Sequence, residues 1–293
     1  MANSVSSITG AAPRPSSLWR DALKRFCRNK TALVSFFILV TLALIAIFAP
    51  FVAPHNPYET NMLLVKAAPS RAHLLGNDEN GRDILSRLVF GARISLSVGF
   101  ISVAISVTIG SIIGLVSAYY GGRTDTLLSR LMEMIMAFPS VLLAIIFLSV
   151  FGRGIENAII AVALVGIPGP ARVVRSAALA VKENDYIAAA RAIGCSNAAI
   201  LARHILPNIL APIIVNATMG VSGAILATAA LGFLGLGVQP PTAEWGYMLS
   251  NGKEFIFTAP HLILFPGAAI SITVLAFNLF GDGLRDALDP RLK

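Results

Sequence analysis

Six apolar runs, each about 20 residues long, leave this chain few ways to fold. A helix of that length rises about 30 Å, the thickness of a bilayer's hydrocarbon core. The runs are Ala32–Ala53, Ile94–Tyr119, Leu131–Phe151, Asn157–Val173, Ile209–Val238 and Leu262–Gly281. Lipid offers no hydrogen-bond partners, so each run must satisfy its own backbone as a helix. The expected fold is an all-α integral membrane protein with six transmembrane helices. Composition agrees: 13% of the residues are charged, against about 25% in soluble domains. The fourth run is short and carries Pro168 and Pro170. A kink is expected there, because neighbouring groups can satisfy the freed carbonyls.

Lys and Arg set the orientation. With residues 1–31 inside as an N-terminal tail, sixteen of the 23 fall on inner segments and seven on outer ones. That bias places both termini in the cytoplasm. It also accounts for the net charge of +8 without nucleic acid as a partner. Five of the seven outer charges lie in one loop, Pro54–Arg93, beside Glu59, Asp78, Glu79 and Asp83. A connector of about 40 residues is long enough to carry structure of its own. A short helix is expected at Asp83–Arg93, with Ile84, Leu85 and Leu88 on one face. The chain thus divides into a tail (1–31), a first span plus outer loop (32–93), and a core of five spans (94–293). That core holds a cytoplasmic loop at 182–207.

The first apolar run starts about 31 residues in and is too long for a cleavable signal. Cys27 and Cys195 both fall on the inner side and form no CxxC pair, so neither a disulfide nor a zinc site is expected. Gly110 and Gly114 make a GxxxG pair, and Gly220, Ser222 and Gly223 cluster in the fifth run. Such small residues let helices approach closely, or line a path between them.

No Asp, Glu, Lys or Arg falls near the middle of any run; Glu133 and Asp282 sit at ends. Ion-coupled transporters and voltage sensors need such groups inside the membrane. A secondary transporter would have only the Pro168–Pro170 region to offer as a broken helix. A phosphate loop is missing as well. Gly246–Glu254 has five residues between its glycines instead of four, and Glu254 where Ser or Thr should hold Mg²⁺. No GxSxG or HExxH constellation supports a membrane-embedded enzyme. His55, His73 and His261 are scattered near the outer face and read as loop or interface residues. No catalytic residue, metal or cofactor is therefore expected in this chain. Energy for moving a solute must enter from outside the bilayer.

The loop between the fourth and fifth runs offers a place for it to enter. Asn184 or Asp185 can cap a helix that begins at Tyr186 and is rich in alanine. Gly194 suits its left-handed end. Ser196 or Asn197 can cap a second helix, Ala198–Leu206, which Pro207 ends or bends. Arg191 and Arg203 could pair with acids on a partner. Two readings fit these residues: an amphipathic connector on anionic lipid, and a folded knob that a partner grips.

The stretch resembles the signature loop of binding-protein-dependent ABC importer permeases: Glu-Ala-Ala, three residues, Gly, nine residues, Ile-x-Leu-Pro. Ala189, Ala190, Gly194, Leu206 and Pro207 match at the right spacing, while Ala188 replaces the glutamate and His204 the isoleucine. His73–Gly99, Leu231–Leu249 and Phe277–Lys293 also resemble segments of dipeptide and oligopeptide permeases, of the second paired type. Glutathione, nickel and D,D-dipeptide permeases share these motifs. The resemblance implies a multi-pass protein of the bacterial cytoplasmic (inner) membrane. Its implied partners are a paralogous permease, two ATPase subunits that hold ATP and Mg²⁺, and an external solute-binding protein. The implied ATPase contacts are Tyr186, Ala189, Ala190, Arg191, Gly194, Arg203, Leu206 and Pro207. Gly81, Arg82, Asp83, Glu244 and Trp245 are expected to dock the binding protein. The tail Asp282–Lys293 reads as solvated, or as a further contact with the ATPase or the paired permease.

Overall fold

The computed structural model describes residues 18–288, with side chains from 23 onward. The expected N-terminal tail up to residue 17 and the last five residues, 289–293, lie outside the described residues. In chain order the helices are α1 (Leu18–Arg28), α2 (Lys30–Ile47), α3 (Ala49–Val52), α4 (Ile84–Tyr120), α5 (Gly122–Met136) and α6 (Ser140–Phe151). There follow α7 (Ile155–Gly166), α8 (Pro168–Lys182), α9 (Asp185–Ala192), α10 (Asn197–Ala199), α11 (Leu210–Phe233), α12 (Trp245–Gly252) and α13 (His261–Leu288). Five stretches are long and apolar enough to cross a membrane, and a sixth is if the bent pair α5–α6 makes one crossing.

Four expectations change in detail. The third run is not one straight helix: α5 and α6 meet at 90°. Pro139 stands at the N-cap of α6, where its ring excludes a helical preceding residue's continuation. The second crossing starts ten residues before its apolar run, at Ile84, and continues unbroken to Tyr120. The short helix expected at Asp83–Arg93 is therefore the first part of α4, and a boundary between residues 93 and 94 falls inside a helix. The fifth crossing starts at Asn197 and stays helical past Pro207, through a π turn (Ile200–Ile205) and a 3-10 turn (Leu206–Ile209). These looser and tighter turns accommodate the proline that was expected to end or bend the helix. At the C-terminus, Asp282–Leu288 continues α13 rather than forming a free tail. By contrast, α7 and α8 run on as one crossing, Ile155–Lys182, with the joint at Ile167 where a kink was expected.

α4 is the central element. It packs on α8, α11, α7 and α2, and Leu96, Val103, Val221, Ile225 and Phe277 fill the core between them. α4 meets α8 at its GxxxG pair. A Cβ on Gly110 would lie 2.8 Å from the Ile167 carbonyl, and one on Gly114 2.5 Å from that of Ala171. On the other side α13 approaches α2 so closely that a Cβ on Gly283 would strike Ala32. α1 lies across this end of the bundle, with Phe26 edge-on to Phe280 at 5.5 Å. Gly223 faces open space.

These distances separate two glycines of similar appearance in sequence. Gly114→Leu must push α4 from α8 and is expected to cost about 1–3 kcal/mol. Gly223→Ala, with nothing to strike, should be neutral or stabilising by helix propensity, about 1 kcal/mol at most. Thermal unfolding of the two purified variants in detergent checks the contrast; equal melting temperatures would refute the packing role.

Candidate functional site

Two groups of side chains stand out, one at each end of the bundle. The first is the knob at 182–207. α9 ends in a left-handed Gly194, φ +84°, and the amides of Gly194 and Cys195 return to the carbonyls of Arg191 and Ala190. Ser196 then caps α10 by accepting from the Ala199 amide at 3.3 Å. Asn184 stands at the N-cap of α9, but its amide group donates to the Val181 carbonyl at 2.8 Å instead of capping.

Beneath the knob, Ile187, Ala190, Ile200, Ile205 and Ile209 are buried against Ala118, Tyr119, Val174 and Ala178. Polar contacts add direction to that packing. The Tyr119 hydroxyl donates to Asn197 Oδ1 at 2.7 Å, and the Arg191 guanidinium lies 5.0 Å over the Tyr119 ring. Lys182 Nζ donates to the Ala118 carbonyl at 3.0 Å. One turn deeper, Arg175 grips Asp125 through two bonds of 2.6 Å, and Ser117 donates to the same carboxylate. A paired, two-pronged contact of this kind fixes orientation as well as distance. The knob is thus seated on the end of α4 and on α8.

Six of the eight expected coupling residues are exposed: Tyr186, Ala189, Arg191, Gly194, Arg203 and Pro207. Ala190 is buried and Leu206 half-buried, so these two pack the knob from inside. Ala188, at the position of the missing glutamate, is exposed, and His204 is half-buried. Sequence reasoning passed over Ile193, which is 80% exposed beside Gly194. An isoleucine directly before a helix-ending glycine was the available signal. Tyr119 was passed over too, because it read as the last residue of an apolar run.

The second group lies at the opposite end, where residues 54–83 fold over the start of α4 and against α12. Asp78 Oδ2 pairs with Arg82 Nε at 2.7 Å and with Arg87 Nε at 3.2 Å. Arg87 also donates to the Pro57 carbonyl, and Glu79 accepts from Arg82 at 3.0 Å and from Asn251 at 2.8 Å. Glu244 caps α12, accepting from the Gly246 and Tyr247 amides at 2.8 Å each and from Ser95 at 3.2 Å. Burial pushes the Glu244 carboxyl above its usual range, while those three donors pull the other way. Trp245 Nε1 donates to the Leu88 carbonyl at 3.0 Å.

This arrangement corrects the expected docking set. Gly81, Arg82, Asp83, Glu244 and Trp245 are all buried. Their side chains hold the cap together, and their polar atoms are already engaged within the chain. The surface of this end includes the apolar Leu63 and Phe257, 94% and 96% exposed, beside exposed polar residues such as Glu59 and Arg71. The histidines are not scattered either. His55 and His73 converge on Asp83, with Nδ1–Oδ1 distances of 3.7 and 2.9 Å. His261 stands apart, its Nε2 3.4 Å from the Asn77 carbonyl. Burial alone raises the Asp83 carboxyl. The Ser86 amide, His73, the Ser86 hydroxyl and His55 outweigh burial and hold it below the usual range.

Residues 82–293 match the family described as binding-protein-dependent transport system inner membrane component, and residues 17–69 match the N-terminal TM domain of oligopeptide transport permease C. The chain is 49% identical over 277 residues to the dipeptide transport system permease protein DppC of Alkalihalophilus pseudofirmus, covering 94% of this chain and 91% of that one. It is 44% identical to the glutathione transport system permease protein GsiD of Pectobacterium atrosepticum, covering 94% and 92%. In fold it resembles the inward-facing MetNI methionine ABC transporter at a TM-score of 0.58 and 20% identity, over 70% of this chain and 98% of that one. With such coverage, this chain belongs to the family of binding-protein-dependent inner membrane permeases, transport subunits whose ATPase activity resides on separate subunits.

Proposed function

We propose that this chain is one of two unlike permease subunits of an importer for short peptides, driven through its knob by a cytoplasmic ATPase. The observation that carries the reading is the knob itself. Its buried face is locked to α4 and α8, and its free face offers small apolar and basic groups. Ala189 and Ile193 fit a groove, and Arg191 and Arg203 suit acids along its rim. An ordinary lipid-facing connector needs no such seating on two membrane helices. α1, the end of α13 and the knob share one end of the bundle, which the Lys and Arg distribution assigns to the cytoplasm.

The peptide class rests on relatives named for dipeptides and for glutathione, both peptides, at similar identity. In this reading two ATPases, each holding ATP and Mg²⁺, grip one knob on each permease. Their closure pulls the knobs together and turns the paired bundles from inward- to outward-facing. Shifting a two-state equilibrium from 1:99 to 99:1 takes about 5.5 kcal/mol, which ATP binding and hydrolysis supply. The solute arrives from an external binding protein that docks on the exposed rim of the opposite end, around Leu63 and Phe257.

Gly194 offers a sharp test of the knob. Its Cβ position is open, so a side chain meets only the left-handed backbone and whatever partner sits there. Asn tolerates that backbone conformation and is small; Gly194→Asn should keep most uptake. Gly194→Glu places a charged chain in the contact and should abolish uptake and ATPase co-purification while leaving membrane insertion intact. Full uptake of a labelled dipeptide by Gly194→Glu would sink the coupling role.

The docking rim is tested separately. A photo-crosslinker at Leu63 or at Phe257 should capture the substrate-loaded binding protein, and one at the buried Trp245 should not. Capture at Trp245 alone would reverse the assignment. Uptake by the reconstituted chain under a proton or sodium gradient, with no ATPase present, would refute the ATP-driven reading as a whole.

A further inference from the structure

We propose that His55, His73 and Asp83 form a binding site for one divalent transition-metal ion of the zinc class, which clasps the 54–83 segment to the head of α4. Nothing in the import reading requires this site, and the inference does not rest on it.

Three residues far apart in sequence bring one ligand atom each to a common point. Nδ1 of His73 is 2.9 Å from Asp83 Oδ1, Nδ1 of His55 is 3.7 Å from it, and all three atoms lie within 4.8 Å of one another. Zinc bonds to imidazole nitrogen and carboxylate oxygen are about 2.0–2.2 Å long, so tetrahedral neighbours stand about 3.4 Å apart. The two distances straddle that value. An ion between the three donors needs the two imidazoles to draw together around Asp83 Oδ1, a ring movement that the exposed His55 side chain can make.

Each donor is already held in place by something else. Asp83 Oδ2 is taken up by the Ser86 amide and hydroxyl, at 2.8 and 2.7 Å, which turns Oδ1 toward the two imidazoles as the ligand oxygen. The His55 amide donates to Ser86 Oγ at 3.0 Å, and the His73 amide to Ser70 Oγ at 3.1 Å. The rings stand 4.5 Å apart at 33°. Supporting bonds that orient the ligands are what tuned metal sites have.

The donor set selects the ion. Two imidazoles and one carboxylate suit zinc and its neighbours, while calcium and magnesium want oxygen alone. Access is open on one side: the His55 side chain is 40% exposed and that of His73 16%, over an Asp83 that is 1% exposed. Three protein ligands and an open face leave room for water in the fourth position. The ion would join the start of the loop, its far arm and the cap of α4 at one point. A ligand that binds only the folded form stabilises it by mass action.

The test uses the full-length chain purified in detergent, stripped with chelator and dialysed against zinc in excess magnesium. One zinc per chain should be retained, and His55→Gln and His73→Gln should each weaken binding at least tenfold. His261→Gln should bind as the wild type does. Cobalt in place of zinc should give the visible absorption of a tetrahedral site in the wild type and lose it in both variants. Because His55 is partly exposed, His55→Gln leaves the cap folded, and its melting temperature without metal should equal that of the wild type. Equal zinc retention by the wild type and the His55→Gln/His73→Gln double variant would overturn the proposal. So would no retained zinc in the wild type, or loss of zinc in His261→Gln.

Discussion

The approach of α4 to α8 at Gly110 and Gly114 is the contact on which the rest of the structure depends. It leaves no space for a side chain at either glycine. Without a hydrophobic force between helices in lipid, close packing of this kind is what holds them together. It also fixes the geometry above and below. α8 delivers Arg175 to Asp125 and Val174 to the floor of the knob, while α4 delivers Ser117 and Tyr119 to the same places. The knob's seat is therefore assembled from two helices whose spacing the glycines set.

α4 is also longer than a membrane is thick. Its 37 residues rise about 55 Å, against about 30 Å of hydrocarbon. The excess projects into both functional ends. Its first turns carry Arg87 and the cap Asp83, and its last turn carries Tyr119. A helix that is part of both ends ties the position of the cap to that of the knob. The two ends are held differently. The cap is built on buried charges, Asp78 with Arg82 and Arg87, whereas the knob is built on buried isoleucines.

Much of this was legible in sequence, for a physical reason. Six apolar runs must become helices in lipid, and the Ile155–Lys182 crossing takes in Pro168 and Pro170 without ending. Gly194 was legible because only a positive φ lets α9 stop there, and glycine reaches it at little cost. What failed were judgements that depend on partners distant in the chain. Arg82, Asp83, Glu244 and Trp245 look like surface residues in a polar loop. The burial of Glu244 and Trp245 depends on Ser95 and Leu88, far back in the chain, which no local pattern connects to them. The start of α4 was legible as a short helix at Asp83–Arg93, but its continuity into the second run was hidden by Arg93, which interrupts the apolar pattern without ending the helix. His55 and His73 read as separate because 17 positions lie between them, and only the folded loop closes that gap.

The distribution of charge inside the bundle restricts how work can reach it. α4 carries no Asp, Glu, Lys or Arg from Ile94 to Tyr120, α11 none from Leu210 to Phe233, and α13 none from His261 to Gly281. An ion gradient would act on such groups, and these stretches of α4, α11 and α13 offer none. A force applied to the knob meets a different situation. The chain runs from α10 through the π turn and past Pro207 into α11 without leaving helical geometry. Ile200, Ile205 and Ile209 anchor that path to α4 and α8 at successive turns. Displacement of the knob must therefore move α11 together with the helices that support it, because close-packed contacts transmit strain instead of absorbing it. The π and 3-10 turns around Pro207 are the one place on this path where the ladder of hydrogen bonds changes register, so bending concentrates there.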